Sequence, residues 1–406
     1  MVIAIIGGGA SGLAAAIAAS RAPGCHIHIF ERQNRVGRKL LATGNGRCNL
    51  SNANVTPANY YGAEPEFVIP SLTAFDFQNT MEFFHDLGLY TVQESSGKVY
   101  PWSDQAGSVV DVLRFALQKP NLELHTGFEV RRVQKLTSGF RVMGADSSYD
   151  CDRLIIACGG LAGTALGGSM AGYQLLRSFG HRCSRLRPAL VQLKSSYPRC
   201  ASLKGIRAIC GLTVTRDGTP VIKNQGEVQF TQYGLSGPVI FDISRHVCTG
   251  SGSWVCCLDL LPELTEEQIT DRLSVRKAAC PKLEAGDLLT GAVHNRLGRL
   301  LVQEIGIPLN APLESLDEDT LLHLARQCKA LCLDLTESMG MDSAQVTAGG
   351  ILTQDFDPQT MESRICPGLY ACGEVLDIDG DCGGFNLQWA WSSGRLAGTC
   401  AGVIGL

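Results

Sequence analysis

Short apolar runs that end in glycine mark both ends of this 406-residue chain. Residues 2–6 are β-branched or apolar throughout, which is typical of a strand buried on both faces of a parallel sheet. Residues 13–19 are rich in alanine and predict a helix, and residues 26–30 predict a second strand. Similar apolar runs recur at 153–160 and 369–374. We therefore predict one parallel sheet to which both ends of the chain contribute.

The middle of the chain has a different pattern, which predicts an insertion. Short segments of alternating polarity indicate a small antiparallel sheet or barrel. They lie at 189–195, 212–216, 219–223, 226–231 and 253–259. From about 264 to 335 the pattern is helical, and it opens on a capping box at 265–268. Before the insertion, the pattern predicts helices near 71–88 and 105–119 and strands near 122–126, 128–136, 139–145 and 149–157.

The turn after the first strand has the G-x-G-x-x-G spacing of a dinucleotide site. Gly7 allows the tight turn, Gly9 lets the backbone approach a pyrophosphate, and Gly12 lets the helix pack close to the strand. The helix that begins at Ala10 and Ser11 presents N–H groups and a partial positive charge to phosphates. Strand, turn, helix and second strand follow in the order that such a site requires.

Glu31 ends the second strand, nineteen residues after the last glycine of the turn. An acidic side chain at this spacing binds ribose hydroxyls. It would repel a 2′-phosphate, which disfavours NADP and leaves FAD and NAD as candidates. The loop 32–49 that follows is rich in basic residues although the chain as a whole is acidic. We interpret this loop as a cofactor or anion contact rather than a solvated loop.

Two features near the other end of the chain point to a flavin. Gly373 and Glu374 end an apolar strand, where a carboxylate can bind a ribityl hydroxyl. The helix that begins near 384–387 can stabilise with its N-terminus the negative charge of a reduced flavin. The predicted contacts of the FAD cofactor are Gly7, Gly9, Ala10, Ser11, Gly12, Glu31, Arg32, Arg38, Lys39, Asn45, Gly46, Arg47, Cys48, Asn49, Val130, Cys158, Gly159, Gly160, Gly373, Glu374, Gly384, Phe385, Asn386 and Leu387.

Charge and composition argue against several classes of function. The net charge is −4, and 18% of the residues are charged. No basic stripe or aromatic nucleic-acid motif occurs, so we expect no nucleic-acid partner. The apolar runs are too short to cross a bilayer, so we expect no membrane partner. A leader-like pattern is missing as well, which predicts a cytoplasmic protein.

The cysteines and histidines show no metal or redox motif. The chain has 17 cysteines without a CxxC pair, and we expect mostly buried free thiols. Cys48 and Cys382 lie in glycine-rich stretches near the predicted flavin, but no neighbour in the sequence would activate a thiolate, and a packed small residue is the favoured interpretation. The histidines are scattered without ligand spacing, so we expect no metal.

Several long stretches resemble the YhiN/BaiN-type bacterial flavoproteins, a family of FAD-dependent oxidoreductases also labelled aminoacetone oxidase-like. They are GGGASGLAAA at 7–16, GRKLLATGNGRCNLSN at 37–52, GKVYPWSDQAGSVVDVL at 97–113, RPALV at 187–191, FTQYGLSGPVI at 230–240, VTAGG at 346–350 and TMESRICPGLYACGEVLDIDGDCGGFNLQWAWSSGRLAG at 360–398. The resemblance implies a two-part FAD domain with insertions and an NAD(P)H-linked activity. One family role is reduction of a conjugated double bond in oxidised bile-acid-like steroids.

The predicted fold class is α/β. A discontinuous Rossmann-like FAD domain of the glutathione-reductase type, with a single dinucleotide site, carries an inserted β-rich, barrel-like domain and a small helical domain. The predicted bounds are 1–187 and 346–406 for the two parts of the FAD domain, 188–262 for the β-rich domain, 263–335 for the helical domain and 336–345 for the return linker.

Two positions depart from the family pattern. Gln232 stands where relatives often carry histidine, and glutamine does not shuttle a proton near neutral pH. Residues 161–163 read Leu-Ala-Gly, where relatives often carry a polar Lys-Ser pair. The second change lies in a region that we expect to line the substrate cavity, so it indicates a different substrate.

No second G-x-G-x-x-G occurs between 50 and 340, so a nicotinamide donor would have to visit the flavin transiently. We expect hydride to pass from NAD(P)H to the flavin and then to the β-carbon of an enone-like small-molecule substrate. The protein must polarise the acceptor oxygen and supply a proton. Arg47, Tyr233 and Arg187 are the catalytic candidates. Each also has a structural interpretation, as a cofactor contact, a core residue and an ion-pair partner respectively.

Two other functions stay open at the level of sequence. One is a flavin oxidase that acts on a small amine with O₂ as acceptor. The other is a redox-sensing flavoprotein whose inserted domain docks a partner. A flavin-dependent RNA-modifying role is disfavoured because the inserted domain lacks a nucleic-acid motif. The oligomeric state cannot be derived from these patterns.

Overall fold

The chain forms two compact units, one of which is assembled from both ends of the sequence. The computed structural model describes residues 1–248 and 252–403. One unit comprises Met1–Ala189 and Met341–Leu406, and the other comprises Leu190–Gly340. Residues 249–251 and 404–406, which belong to two of the predicted domains, lie outside the described residues. The finer domain bounds stay a prediction.

The helices and strands follow one another along the described residues with short connections. The strands are β1 (Val2–Ile6), β2 (His26–Glu31), β3 (Ser51–Asn52), β4 (Tyr60–Tyr61), β5 (Thr91–Gln93), β6 (Lys98–Pro101), β7 (Leu122–Thr126), β8 (Arg132–Lys135), β9 (Phe140–Met143), β10 (Ser148–Cys151), β11 (Arg153–Ile156), β12 (Arg187–Ala189), β13 (Leu193–Ser195), β14 (Arg207–Arg216), β15 (Thr219–Phe230), β16 (Gly234–Ser236), β17 (Trp254–Asp259), β18 (Leu331–Ser338), β19 (Val346–Ala348), β20 (Leu369–Ala371) and β21 (Asp379–Gly380). The α-helices are α1 (Ala10–Ala19), α2 (Val68–Ala74), α3 (Phe77–Asp86), α4 (Ala106–Ala116), α5 (Ala171–Ser178), α6 (Cys200–Leu203), α7 (Pro238–Val247), α8 (Glu266–Ala279), α9 (Asn295–Glu304), α10 (Glu318–Lys329) and α11 (Phe385–Gly402).

A parallel sheet with the strand order β20–β11–β1–β2–β7 forms the centre of the first unit. Neighbouring strands pair in parallel throughout. The apolar runs of the sequence lie here with their side chains fully buried, for example Ile5 and Ile155. Strand β20 comes from the C-terminal part of the chain, so both ends contribute to one sheet. The predicted discontinuous Rossmann-type fold is confirmed.

Helices α1 and α11, from opposite ends of the chain, pack with their backbones in close contact. A Cβ atom on Gly394 would overlap the carbonyl oxygen of Ser11, and one on Gly398 would overlap that of Ala15. Because both glycines lack a side chain, the helices approach more closely than larger residues would allow. The alanines of α1 from Ala14 to Ala19 are buried.

The second unit contains a closed antiparallel barrel in the strand order β13–β16–β15–β14–β17–β18. Its hydrophobic core continues into the helices of residues 263–335 and includes Leu258 of the barrel with Leu301 and Leu324 of the helices. The predicted barrel-like insertion is therefore present.

A disulfide bond joins Cys257 and Cys332, which face each other on the paired strands β17 and β18. The expectation of mostly free thiols did not include this bond. The two cysteines are 75 positions apart in the sequence, so their spacing gives no signal of their pairing.

The predicted helix near 71–88 is in fact two helices, α2 and α3. The break comes at Asp76, whose backbone is extended and whose carboxylate accepts the N–H of Asn79. This is an N-cap, and the Asn79 side chain completes a capping box. The local capping chemistry therefore outweighs the continuous apolar pattern.

His181 is buried in the first unit, where it connects segments from two distant parts of the chain. Its Nε2 lies 3.0 Å from Ser363 Oγ, its Nδ1 lies 3.8 Å from Asp355 Oδ2, and its ring stacks on Phe356. Burial lowers the pKa of His181 below 6.5, and Asp355 partly opposes this shift.

We expect the stability of the protein to fall as the pH drops below about 6.5. The unfolded chain then binds a proton that folded His181 does not, so protonation favours unfolding. Stability from this group is present above 6.5 and is lost as the pH falls towards the lowered pKa, with a slope of at most about 1.4 kcal/mol per pH unit. Urea unfolding of the wild type and of His181→Gln between pH 5 and 8 measures how the free energy of unfolding depends on pH. Equal slopes for the two proteins would contradict this assignment.

Candidate active site

The glycine-rich turn has the geometry that its spacing predicts. Gly7 has a φ of +112°, and a Cβ atom there would overlap the carbonyl oxygen of Ala157. A Cβ on Gly12 would likewise overlap the carbonyl oxygen of Gly7. A Cβ on Gly9 would meet none of the described residues within 4 Å. Two of the glycines therefore serve the fold, while Gly9 leaves open space in front of the N-terminus of α1.

Glu31 lies beside this turn and binds its backbone. One carboxylate oxygen accepts the N–H of Gly8 at 2.8 Å, and the other accepts the N–H of Gln33 at 2.7 Å. These bonds hold the carboxylate at the end of β2. Each oxygen retains a further lone pair for a hydroxyl donor, which suits a ribose.

Glu374 joins segments that are far apart in the sequence. Lys39 donates to its Oε2 at 2.8 Å, and the N–H of Thr347 donates to its Oε1 at 2.8 Å. A Cβ on Gly160 would overlap the Glu374 carboxylate. The structure therefore brings the predicted residues Lys39, Gly160 and Glu374 together at the carboxyl end of the parallel sheet, where ligands bind in folds of this class.

The first turn of α11 is held by the side chain of its own Asn386 and by Tyr60. Gly384 has a φ of +104°, and a Cβ there would overlap the backbone of Ser51. The amide oxygen of Asn386 accepts the N–H of Gly380 at 2.8 Å, and its nitrogen donates to the Gly380 carbonyl. The hydroxyl of Tyr60 donates to the carbonyl of Phe385. The first backbone N–H groups of a helix have no partner within it, so this fixed turn can present donors to an anionic group.

The loop that contains Asn45 and Cys48 adopts a left-handed backbone at both residues. Cys48 is fully buried, and burial raises its pKa to about 11. Burial likewise raises the pKa of Cys158 to about 12. Both groups are held as thiols, which agrees with a packing role for Cys48. Asn49 is buried and accepts the N–H of Val99.

The three catalytic candidates differ in how they are engaged. Arg47 forms ion pairs with Asp104 and with Glu94 and stacks over a tyrosine ring. Arg187 lies on β12, and its Nε is buried without a hydrogen-bond partner among the described residues. Tyr233 belongs to the other unit, and its side chain is 51% exposed, so it is not a core residue.

The remaining predicted contacts take various positions in the first unit. Arg32 donates to the Gly167 carbonyl at 2.6 Å, and Arg38 donates to Gln33 at 2.7 Å. Val130 is buried shortly after β7. The others lie in the first turn of α1, in the loop before β3, after β11 and β20, and at the start of α11; they are Ala10, Ser11, Gly46, Gly159, Gly373 and Leu387. Their contacts with a cofactor stay a prediction.

Gln388 is a buried polar residue that the sequence patterns missed. Its amide oxygen accepts from Ser51 at 2.6 Å, and its nitrogen donates to Thr80 at 2.8 Å and to Ser392 at 2.9 Å. It therefore connects the first turn of α11 to α3 and to β3. The polar residues of the otherwise apolar stretch 385–393 are the signal that could have identified it.

Replacing Gln388 with leucine should destabilise the protein by about 2–3 kcal/mol. The change leaves the buried Ser51 hydroxyl without its acceptor and removes the amide donor to Thr80 and Ser392, and an unsatisfied buried group costs about 1–3 kcal/mol. Chemical denaturation of the wild type and the variant measures the loss. Thr399→Leu on the exposed side of the same helix is the control. A loss no larger than that of the control would contradict the role given to Gln388.

The residues of this region fit an extended dinucleotide. Open space lies in front of a helix N-terminus at Gly9, a carboxylate follows the second strand, and a carboxylate–lysine pair lies further along the same sheet edge. A family model, described as the HI0933-like protein Rossmann domain, matches residues 1–400. The chain belongs to the HI0933-like family. It is an FAD-dependent oxidoreductase.

Curated relatives cover nearly the whole length of this HI0933-like protein. It is 40% identical over 403 residues to a 3-dehydro-bile acid delta(4,6)-reductase of Clostridium scindens, with 98% of each chain covered. It is 31% identical over 398 residues to a ribosomal RNA dihydrouridine synthase of Escherichia coli, with 96% of this chain and 95% of that one covered.

Among solved structures, a 3-ketosteroid delta1-dehydrogenase from Sterolibacterium denitrificans has the same fold. The TM-score is 0.50 at 11% sequence identity, with 98% of this chain and 99% of that chain covered. Within the described residues, helices with the length and apolar character of a membrane span do not occur. A cytoplasmic location stays a prediction.

Proposed function

We propose that this protein reduces a carbon–carbon double bond conjugated to a carbonyl in a bulky alicyclic, bile-acid-like substrate, with NAD(P)H as electron donor. The observation that carries the proposal is the 40% identity to a 3-dehydro-bile acid delta(4,6)-reductase over 98% of both chains. In the net reaction, NAD(P)H supplies a hydride and a solvent H⁺ supplies the proton, so each cycle reduces one carbon–carbon double bond. The products are NAD(P)⁺ and the ketone in which that one double bond is saturated.

The residues at the sheet edge would hold the cofactor. The turn with Gly7, Gly9 and Gly12 and the N-terminus of α1 would bind the pyrophosphate, and Glu31 would bind the ribose. Glu374 would bind the ribityl chain, and the first turn of α11 would face the flavin. When bound, FAD supplies the hydride chemistry that the side chains themselves cannot perform.

The protein must also polarise the substrate carbonyl. Of the three candidates, Arg187 fits this role best because its Nε is buried without a hydrogen-bond partner among the described residues. Burial raises the pKa of the nearby Asp377, and the charge of Arg187 is among the influences that oppose the rise. Arg47 is already neutralised by two carboxylates, so we assign it to the structure of its loop.

Replacing Arg187 with alanine should lower kcat/KM about 100-fold for a 3-oxo-4,6-diene steroid acid as substrate. The reason is that one lost hydrogen-bond donor to a developing oxyanion costs about 10²–10³ in rate. The visible flavin spectrum and FAD content should stay unchanged. Steady-state kinetics of Arg187→Ala and Arg187→Lys measure the effect, and Arg182→Ala, an exposed arginine nearby in the sequence, is the control. Equal loss of FAD and activity in Arg187→Ala would show that the residue binds the cofactor instead.

The second relative suggests a different substrate with related chemistry. Formation of dihydrouridine also saturates a double bond conjugated to a carbonyl. The bile acid reductase and the dihydrouridine synthase therefore belong to one reaction class. The 31% identity to a ribosomal RNA dihydrouridine synthase favours this alternative. The net charge of −4 disfavours RNA as partner, and the higher identity favours the steroid acid.

Anaerobic rapid-mixing spectroscopy tests these functions together. The FAD-loaded protein is mixed with NADH or NADPH, and the bleached protein is then mixed with a 3-oxo-4,6-diene steroid acid or with ribosomal RNA. We expect bleaching by one nicotinamide and rapid return of the yellow colour with the steroid. Return of colour with RNA alone would replace the steroid proposal. Bleaching by aminoacetone without a nicotinamide would favour an amine oxidase, and an inert flavin would favour a redox sensor.

A further inference from the structure

Two histidines and a glutamate meet on one face of the parallel sheet, away from the residues discussed above. His28 lies on β2, and Glu123 and His125 lie on the neighbouring strand β7. In the register of these strands His28 is paired with Glu123, and Phe30 is paired with His125. Since alternate residues of a strand point to the same face, all three side chains project from one side.

The three ligand atoms converge to the spacing of a metal site. His28 Nδ1 lies 3.1 Å from His125 Nε2. Glu123 Oε2 lies 3.7 Å from the former and 3.8 Å from the latter. Ligands of tetrahedral zinc at about 2.0–2.1 Å from the metal are separated from one another by roughly 3.3–3.4 Å. The three atoms need to move by only a few tenths of an ångström to bind one ion.

The surroundings hold the imidazoles in place and leave a path from solvent. The side chains of His28 and His125 are 18% and 19% exposed, while that of Glu123 is 65% exposed. Phe30 and Tyr149 pack against both imidazole rings. The rings are therefore confined from two sides, and the carboxylate can close over an ion that enters from outside.

We propose that His28, Glu123 and His125 bind one Zn²⁺ ion, with water in the fourth position. Imidazole and carboxylate are ligands that zinc accepts. Strand β7 is an edge strand of the sheet, and the ion would fasten it to β2, which ends at Glu31. The site is structural and independent of the proposed reaction. No local pattern reveals the cluster, because His28 and Glu123 are 95 positions apart, 123 minus 28.

Isothermal titration of the FAD-loaded protein with ZnCl₂, after removal of metal by a chelator, tests the proposal. We expect one ion per chain, and we expect Zn²⁺ to raise the melting temperature. Glu123→Gln is the first variant, because its exposed side chain makes misfolding the least concern. This variant, His28→Gln and His125→Gln should each bind Zn²⁺ at least about tenfold more weakly. FAD content and circular dichroism show whether each variant is folded.

His26→Gln is the matched control, because His26 is exposed on the same strand but lies outside the cluster. It should bind zinc as the wild type does. An equal loss in His26→Gln, or wild-type affinity in the folded Glu123→Gln and His125→Gln variants, would overturn the proposal. Failure of the wild type to bind zinc would also overturn it and would leave the histidines as a hydrogen-bonded pair. None of these outcomes depends on turnover, so the test is separate from that of the proposed function.

Discussion

FAD binding should fall by at least about 1,000-fold in Gly9→Val, which corresponds to about 4.1 kcal/mol. A Cβ atom at this position meets no atom within 4 Å in the part of the chain that the structure describes, and the backbone angles of φ −86° and ψ −169° suit any residue. The new side chain therefore leaves the fold intact and occupies the space in front of the α1 N-terminus. Fluorescence titration of the apoprotein with FAD measures the loss.

Gly107→Val is the control for this change. Gly107 lies in α4 and has no positive φ, and a Cβ there also meets nothing within 4 Å among residues 1–248 and 252–403. Both variants should unfold near the wild-type urea midpoint when FAD is absent. Wild-type FAD affinity in a folded Gly9→Val protein would mean that the pyrophosphate binds elsewhere, and the cofactor assignment of the turn would be wrong.

Replacing Gly398 with alanine should destabilise the protein by more than about 3 kcal/mol. The added methyl group would overlap the carbonyl oxygen of Ala15, and a backbone atom within a sheet-packed helix cannot move aside as a side chain could. Helix α11 would be pushed away from α1, and the turn that precedes α1 would shift with it. Urea unfolding and FAD content measure the two consequences.

Thr399→Ala is the control for Gly398, because Thr399 is the next residue of the same helix and is exposed. The control should change stability by less than about 0.5 kcal/mol. Wild-type stability of Gly398→Ala would show that the two helices can separate freely. The close contact between them would then contribute nothing to the free energy of unfolding.

Local patterns predicted the parts of the fold that depend on neighbours in sequence. Gly7, Gly9 and Gly12 identified the turn because each must satisfy a backbone requirement within a few residues. Glu31 and Glu374 were predicted as cofactor contacts because each comes at the end of an apolar strand, and those contacts stay a prediction. The resulting α/β fold with its inserted barrel is confirmed.

Contacts between residues that are far apart in the sequence could not be predicted from local patterns. The Cys257–Cys332 bond requires the register of β17 against β18, and a single sequence does not reveal that register. Gln388 is one of several polar residues at the start of an apolar helix, and its partners Ser51 and Thr80 lie more than 300 positions away in the sequence. The break between α2 and α3 at Asp76 is a different case. Its capping signal is local, but the prediction of helix near 71–88 followed the longer apolar pattern and did not place the break.

Strand β20 pairs with β11 more than 200 positions earlier in the chain, and this separation has a consequence for biosynthesis. Until the C-terminal segment leaves the ribosome, β11 stays an open edge and the apolar face of α1 lacks its cover. Contacts at such sequence separation close slowly because the loop entropy must be overcome first. The barrel, whose strands all lie within 193–338, can form before that time. We therefore expect the nascent chain to complete its inserted unit first and its nucleotide fold last.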